Sequence, residues 1–176
     1  RNVLAHPDVD AAVLETARGG LLREGLAFDQ CDVAIVTNLG GGDHLGLNYI
    51  TTLEDLKVLK RVIVLNVAPT GTAVLNAADP AVVAMAPHCP GSVTFFAQDG
   101  HHPVIATHMA QGKRVVFVDR GDVVCVEGAF TKRLPLARVP LTRKGQIGFQ
   151  VENVMASVAA AWAVGTPWDA IQKGLA

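Results

Sequence analysis

Residues 31–38 read CDVAIVTN, and this stretch decides the fold of the chain. It is an almost continuous run of apolar and β-branched residues, which is typical of a strand covered on both faces. Residues 92–98 (SVTFFAQ) have the same character. Strands of this kind occur mainly in parallel sheets, so the sequence predicts a parallel sheet built around residues 31–38.

On either side of this stretch, strand patterns alternate with helix patterns. Further strands are predicted at 10–15 (DAAVLE), 61–67 (RVIVLNV) and 72–77 (TAVLNA), and helices are predicted at 53–60, 79–85, 152–164 and 168–175. Three shorter strands at 114–119, 123–127 and 132–139 are separated by glycine-containing turns, as in an antiparallel meander. The order predicts an α/β fold: a mostly parallel, Rossmann-like sheet flanked by helices, with a small antiparallel β appendage.

Composition excludes several functional classes. Half of the 176 residues are hydrophobic, and the formal net charge is −1. Basic residues are scattered, so no nucleic-acid partner is expected. The apolar runs are too short to cross a bilayer, so no membrane association is expected. The three cysteines lie far apart without zinc-ligand spacing, which is typical of reduced cysteines in a cytoplasmic protein.

Polar residues follow the predicted strands, at the edge where parallel sheets bind ligands. Glu15 is a candidate oxygen ligand for Mg²⁺, or a solvated acid at a strand end. Asn38 ends the strand at 31–38 and is a candidate nucleotide contact. Asn76 can hydrogen-bond a nucleobase edge with its amide, or it can shape the turn before the helix at Asp79.

Four other side chains are candidate functional residues, and each also has a simpler structural explanation. Arg18 can hold a carboxylate or phosphate, or face water. His44 is a candidate metal ligand or general base, although a single loop histidine is more often neither. Lys60 lies on the same predicted helix face as Lys57, and the plainer alternative is that it is a solvated surface lysine. Asn153 can reach the ligand-binding edge of the sheet, or it can cap its helix. Neither the Walker A spacing nor GxGxxG occurs in the chain, so the glycine run 40–42 is not taken as a phosphate cradle.

Five segments carry a resemblance to a known family. Residues 13–26 (VLETARGGLLREGL), 32–38 followed by 43–46 (DHLG), 53–60 (LEDLKVLK), 73–80 (AVLNAADP) and the helix at 149–161 resemble the Mur-ligase-like half of cyanophycin synthetases. The ETARGG and DHLG motifs are specific, whereas the last two segments are shared across Mur ligases. One acid of the family's AVLNADDP pattern is replaced by Ala78.

The resemblance implies an ATP- and Mg²⁺-dependent ligase that activates a carboxylate as an acyl phosphate and adds L-arginine to a polyaspartate backbone. It implies Mg²⁺ ligation by Glu15 and His44, an adenine contact by Asn76, and a position for Arg18 near the acceptor carboxylate or incoming amino acid. Lys60 stands about where many Mur ligases carry a carbamylated lysine, a feature that cyanophycin synthetases need not share. Residues 1–176 are expected to be the latter part of a central ATPase domain, inactive alone, from a homo-oligomeric protein whose phosphate loop lies upstream and whose C-terminal domain lies downstream.

Other functions remain open at this point. Another Mur-type ligase, acting on a peptidoglycan precursor or on folylpolyglutamate, is one alternative, and ETARGG argues against it. A non-catalytic Mur-like module is a second alternative. A dinucleotide-binding oxidoreductase is the alternative at the level of the fold, and the missing glycine fingerprint argues against it.

Overall fold

The computed structural model describes residues 3–40 and 50–176, which contain one six-stranded sheet with the strand order β1-β2-β3-β4-β5-β6. The first four strands are parallel, and the last three form an antiparallel meander. The strands are β1 (Cys31–Val36), β2 (Val67–Asn76), β3 (Ser92–Asp99), β4 (Val115–Asp119), β5 (Asp122–Glu127) and β6 (Phe130–Pro135). The predicted α/β architecture with its antiparallel appendage is therefore confirmed.

Helices cover both faces of the sheet, and each face has its own core. The helices are α1 (Arg18–Glu24), α2 (Leu53–Leu65), α3 (Pro80–Val83), α4 (Pro103–Ala110), α5 (Gly148–Ala163) and α6 (Trp168–Gly174), with 3₁₀ turns at Ala86–His88, Leu136–Arg138 and Pro140–Thr142. Buried residues of α2, α3 and α4 pack on one face of the sheet, and those of α5 and α6 pack on the other. None of the helices in the described ranges has both the length and the apolar character needed to cross a bilayer.

The strand predicted at 10–15 is wrong. Residues 11–17 have no regular secondary structure and lead directly into α1. Val13 is 99% exposed, so the apolar side chains of this segment are not buried against a sheet face. Within the described residues, no strand pairs with the segment, and its backbone therefore lacks the ladder of hydrogen bonds that defines a strand.

The strand predicted at 61–67 is also wrong, because most of that run is the second half of α2. The helix begins with a capping box, in which the Thr52 side chain accepts from the Asp55 backbone N–H and the Asp55 side chain accepts from the Thr52 backbone N–H. Leu56 and Val64 lie eight residues apart on one helical face, and both are fully buried. A short β-branched run does not distinguish a buried strand from a buried helix, and here the helix start upstream decided the outcome.

The strand predicted at 72–77 is the second part of β2, a longer strand that begins at Val67. Cys31 pairs with Val67 and Val33 pairs with Thr72, so the register shifts between these two pairs. The irregularity falls at residues 69–71 (PTG), where the sequence carries a turn signal. After it, β2 is buried continuously to Asn76, which places that residue at the carboxyl end of an interior strand.

The C-terminal helices are confirmed with small changes of boundary. α5 begins four residues before the predicted start and ends at Ala163, just ahead of Gly165. Its buried residues are mostly valine and alanine, small enough for the helix to lie close to the sheet. This helix covers the face of the sheet opposite α2.

Candidate functional site

The carboxyl end of β1 borders a small cavity of about 130 Å³. Its apolar wall comes from α1, β1 and α2. Its polar lining consists of Thr16, Arg18, Thr37, Asn38 and Lys60. The structure therefore brings together three of the side chains predicted from the sequence, and it does so at the edge of the sheet where ligands of parallel α/β proteins bind.

Lys60 reaches from α2 to the backbone at the end of β1. Its Nζ donates hydrogen bonds to the carbonyl oxygens of Asn38 and Leu39, both at 3.0 Å. Partial burial lowers the pKa of Lys60, and the negative charge of Asp79 opposes part of that lowering. The side chain is thus a partly buried cation held by two carbonyl groups, and not the solvated lysine of the plainer sequence interpretation.

Asn76 ties the end of β2 to the end of β1. Its Nδ2 donates to the carbonyl oxygen of Thr37 at 2.8 Å, and its Oδ1 accepts from the backbone N–H of Ala78 at 2.9 Å. The residue is only 5% exposed. One amide proton and one acceptor position remain for another partner, so the predicted adenine contact stays a prediction.

Asp79 has a role that the sequence did not reveal. One carboxylate oxygen accepts from the backbone N–H of Ala81 at 2.9 Å and caps α3, as the Asp-Pro pair predicts. The other oxygen accepts from the backbone N–H of Leu39 at 2.8 Å. The sequence contains the signal for the cap alone, because the bond to Leu39 depends on how two neighbouring strands are packed.

The other predicted residues are not joined to this group by a described contact. Glu15 is exposed, next in sequence to the cavity-lining Thr16. Asn153 is exposed on the second turn of α5, where its Nδ2 donates to Gln150 Oε1 at 3.2 Å. His44 lies outside the described residues, and so do Gly41 and Gly42 of the glycine run.

The described residues offer limited protein ligation for a metal ion. No group of three or more His, Cys, Asp or Glu side chains that could hold a metal occurs in residues 3–40 and 50–176. Mg²⁺ is often held by one or two carboxylates together with substrate phosphates and water. An exposed Glu15 beside the cavity fits such an ion.

A larger cavity, of about 740 Å³, lies at the opposite edge of the sheet, where β3 and β4 begin. Several of its polar groups already bind each other. The hydroxyls of Thr72 and Ser92 are 2.8 Å apart, and Arg114 Nε donates to a Glu127 carboxylate oxygen at 2.9 Å. Because these groups are paired, and because ligands of parallel sheets bind at the carboxyl ends of the strands, size alone does not make this cavity the functional site.

Comparisons with known proteins show the family of the chain. The protein-family model of the Mur ligase middle domain matches residues 2–161 of this chain. Cyanophycin synthetase from Synechocystis sp. is 42% identical over 174 residues, and that from Crocosphaera subtropica is 41% identical over the same length; each alignment covers 98% of this chain and 20% of the relative. A crystal structure of MurF from Acinetobacter baumannii has the same fold, with a TM-score of 0.54 and 22% identity over 83% of this chain and 28% of that one. The chain thus spans about a fifth of the length of these curated relatives.

Proposed function

The chain belongs to the Mur ligase middle-domain family, and we propose that it contributes the ATP-dependent carboxylate-activating site of a longer amide ligase that acts as cyanophycin synthetases do. The convergence of Arg18, Asn38 and Lys60 on one cavity at the carboxyl end of β1 is the observation that supports this proposal most directly. The 42% identity to a cyanophycin synthetase over nearly the whole chain favours this ligase over other Mur-type ligases.

The proposed reaction has two steps. A side-chain carboxylate of a polyaspartate backbone attacks the γ-phosphorus of ATP, which gives an acyl phosphate and ADP. The deprotonated α-amine of L-arginine then attacks the acyl carbon, inorganic phosphate leaves, and an isopeptide bond forms. Mg²⁺, when bound, would neutralise charge on the phosphate oxygens during the first step.

Each predicted residue has a proposed role in this scheme. Arg18 is suited to a carboxylate or phosphate because its guanidinium presents donors in a planar fork. Lys60 supplies a positive charge beside the cavity. Asn38, Asn76 and Asn153 are proposed nucleotide contacts, and Glu15 and His44 are proposed ligands of Mg²⁺. The cytoplasmic location and homo-oligomeric assembly stay predictions.

The test uses the protein that contains this chain, at its natural length. ADP release is measured with ATP, Mg²⁺ and a polyaspartate primer, with and without L-arginine, in wild type, in His44→Ala and in the exposed-loop control His101→Ala. We expect arginine-dependent ADP release that His44→Ala reduces at least tenfold and that His101→Ala leaves unchanged. Release that is indifferent to arginine would exclude the proposed amine, and release unaffected by His44→Ala would remove the proposed metal ligand.

A further inference from the structure

Basic residues strongly outnumber acidic residues in one part of the chain. Residues 113–144 contain eight of the 15 Lys and Arg residues but three of the 16 Asp and Glu residues, so this stretch has a formal charge of +5 in a chain whose net charge is −1. All three of its acids are already held in ion pairs, by Arg114 and Arg133. The other six cations are therefore not balanced by acids of their own segment.

Four of these cations lie at the edge of the sheet that also carries the candidate site. Arg120 follows β4, Arg138 follows β6, and Arg143 and Lys144 lie in the loop between β6 and α5. Because β4 and β6 run in the same direction as β1, their carboxyl ends lie at the same edge. These four residues are called the basic cluster below.

Hydrogen bonds join the segments that carry the basic cluster. The Leu136 N–H donates to the Gly121 carbonyl oxygen at 3.0 Å, which ties the chain after β6 to the turn between β4 and β5. The hydroxyl of the fully buried Thr142 donates to the Val139 carbonyl oxygen at 2.9 Å and accepts from the Gly145 N–H at 3.0 Å. Each member of the cluster is next in sequence to one of these residues, so its backbone position is fixed.

Three members of the cluster have a backbone conformation that Arg and Lys disfavour. The angle φ is 50° at Arg120, 46° at Arg143 and 60° at Lys144, and in the part of the chain that the structure describes every other positive φ belongs to a glycine. Arg120 and Gly121 both have positive φ in a two-residue hairpin turn, a pattern for which Asn-Gly or Asp-Gly is preferred. Such unfavourable residues occur preferentially at functional sites. Turn formation therefore does not explain why cations occupy these positions.

The side chains of the basic cluster are exposed, and within residues 3–40 and 50–176 they form no hydrogen bond or ion pair. The adjacent Arg133 shows which chemistry such a group accepts. Its Nε donates to a carboxylate oxygen of Asp122 at 2.9 Å, and its Nη2 donates to one of Asp119 at 2.8 Å. Charge-assisted hydrogen bonds of this kind are the strong ones between cations and carboxylates. The unpaired cations beside Arg133 therefore suit a partner that is rich in carboxylates.

We propose that the basic cluster binds an acidic peptide and holds it along the carboxyl edge of the sheet, in line with the cavity at the end of β1. Neighbouring strands lie about 4.8 Å apart, so the path from β1 to β4 and β6 is about 14–24 Å, which an extended peptide spans with about four to seven residues. Binding by the cluster stands on the cluster alone. Delivery of a carboxylate to the cavity rests on the proposed function, whose polyaspartate backbone is such a peptide.

Substitution by asparagine separates a binding role from a structural role. Asparagine removes the charge and tolerates a left-handed backbone better than Arg or Lys, so Arg143→Asn/Lys144→Asn and Arg120→Asn should keep at least the wild-type Tm. Arg143→Lys/Lys144→Arg retains both charges. The matched control, Lys113→Asn/Lys173→Asn, removes two exposed cations outside the cluster, one of them at the opposite edge of the sheet where β4 begins.

The measurement is the fluorescence anisotropy of a labelled peptide of about twelve L-aspartate residues, long enough to span the edge, titrated with the protein at its natural length. We expect Arg143→Asn/Lys144→Asn to raise the Kd about fivefold and Arg120→Asn to raise it about twofold, because each exposed charge pair contributes modestly. The charge-retaining variant and the control should bind as wild type does. The difference between wild type and the asparagine variants should shrink as NaCl is raised, because salt screens exposed charges.

Wild-type affinity in Arg143→Asn/Lys144→Asn would overturn the proposal, and so would an equal loss of affinity in the control. Displacement of the labelled peptide by oligouridylate at a lower concentration than by unlabelled peptide would also overturn it, because the cluster would then prefer a nucleic acid. In the ADP-release assay, the same variant should raise the KM of the long primer without changing kcat, and an unchanged KM would overturn delivery to the cavity. A wild-type protein that binds the peptide but releases no ADP would reject the proposed function and leave the binding site standing.

Discussion

Replacing Asn76 with alanine tests whether this residue stabilises the junction of β1 and β2. The substitution removes the bond to the Thr37 carbonyl at 2.8 Å and the bond from the Ala78 N–H at 2.9 Å. Each such hydrogen bond contributes about 1 kcal/mol net, and a buried partner left without one costs about 1–3 kcal/mol. Because Asn76 is 5% exposed, water can replace the lost amide only in part. We expect the free energy of unfolding to fall by about 2–3 kcal/mol.

The assay is urea unfolding followed by circular dichroism, with Asn153→Ala as the matched control. Asn153 is exposed and its side chain donates to one neighbouring residue of its own helix, so its removal should change the free energy of unfolding by less than about 0.5 kcal/mol. The midpoint should shift while the m-value stays constant, because both variants bury nearly the same surface. At about 2–4 °C per kcal/mol for a chain of this size, Asn76→Ala should also lower Tm by about 5–10 °C.

A second substitution separates the two bonds of Asn76. Asn76→Asp keeps an acceptor for the Ala78 N–H but places a carboxylate oxygen against the Thr37 carbonyl, so it should destabilise the chain at least as much as alanine. An unfolding free energy of Asn76→Ala within about 0.5 kcal/mol of wild type would refute the reasoning. The side chain would then be available for a ligand instead of holding the two strand ends together.

Three further outcomes follow from particular contacts. A Cβ at Gly91 would lie 2.3 Å from the Gly71 carbonyl oxygen, whereas a Cβ at Gly20 would meet nothing within 4 Å. Thermal unfolding should therefore show a large loss of Tm in Gly91→Ala and none in Gly20→Ala. Burial lowers the pKa of His108, so at mildly acidic pH the unfolded chain binds more protons than the folded chain. The free energy of unfolding, measured by urea titration, should therefore fall as pH drops from 7.5 to 5.5. His108→Gln should reduce this dependence of the free energy of unfolding on pH. Burial raises the pKa of Cys125 to about 12. Alkylation of Cys125 by iodoacetamide, followed by mass spectrometry, should therefore proceed only as fast as the chain unfolds. Rapid alkylation of the folded chain would contradict the burial of Cys125.

The parts of the fold that the sequence predicted well are those with strong local signals. Residues 31–38 and 92–98 are mostly apolar, β-branched or aromatic and are too short for a typical helix. Both contain strands of the sheet. The helix at Asp79-Pro80 is confirmed because a capping side chain and a proline both act within one turn. The strand prediction at 61–67 was wrong because the β-branched residues of that run suit a buried strand or a buried helix equally well. The capping box that starts the helix lies nine residues upstream.

The contacts of the candidate site were less predictable, since they join segments far apart in sequence. The partners of Asn76 and Asp79 at Thr37 and Leu39 lie 39 and 40 residues away. Sequence reasoning placed Asn38 and Asn76 at one sheet edge, because the carboxyl ends of parallel strands share an edge. It did not reveal that the side chains would bind backbone groups of the neighbouring strand, because that depends on the register of β1 against β2.

Alanine at position 78, where the resemblance leads us to expect an acid, has a limited consequence in this structure. Ala78 is exposed, and its contribution to the junction is its backbone N–H, which any residue other than proline would supply. The acid that remains, Asp79, is the one that caps α3 and accepts from Leu39. The contacts that hold the end of β1 therefore do not require a carboxylate at position 78. An acid at that position would serve a group outside these contacts, and its loss leaves the arrangement around Leu39 complete.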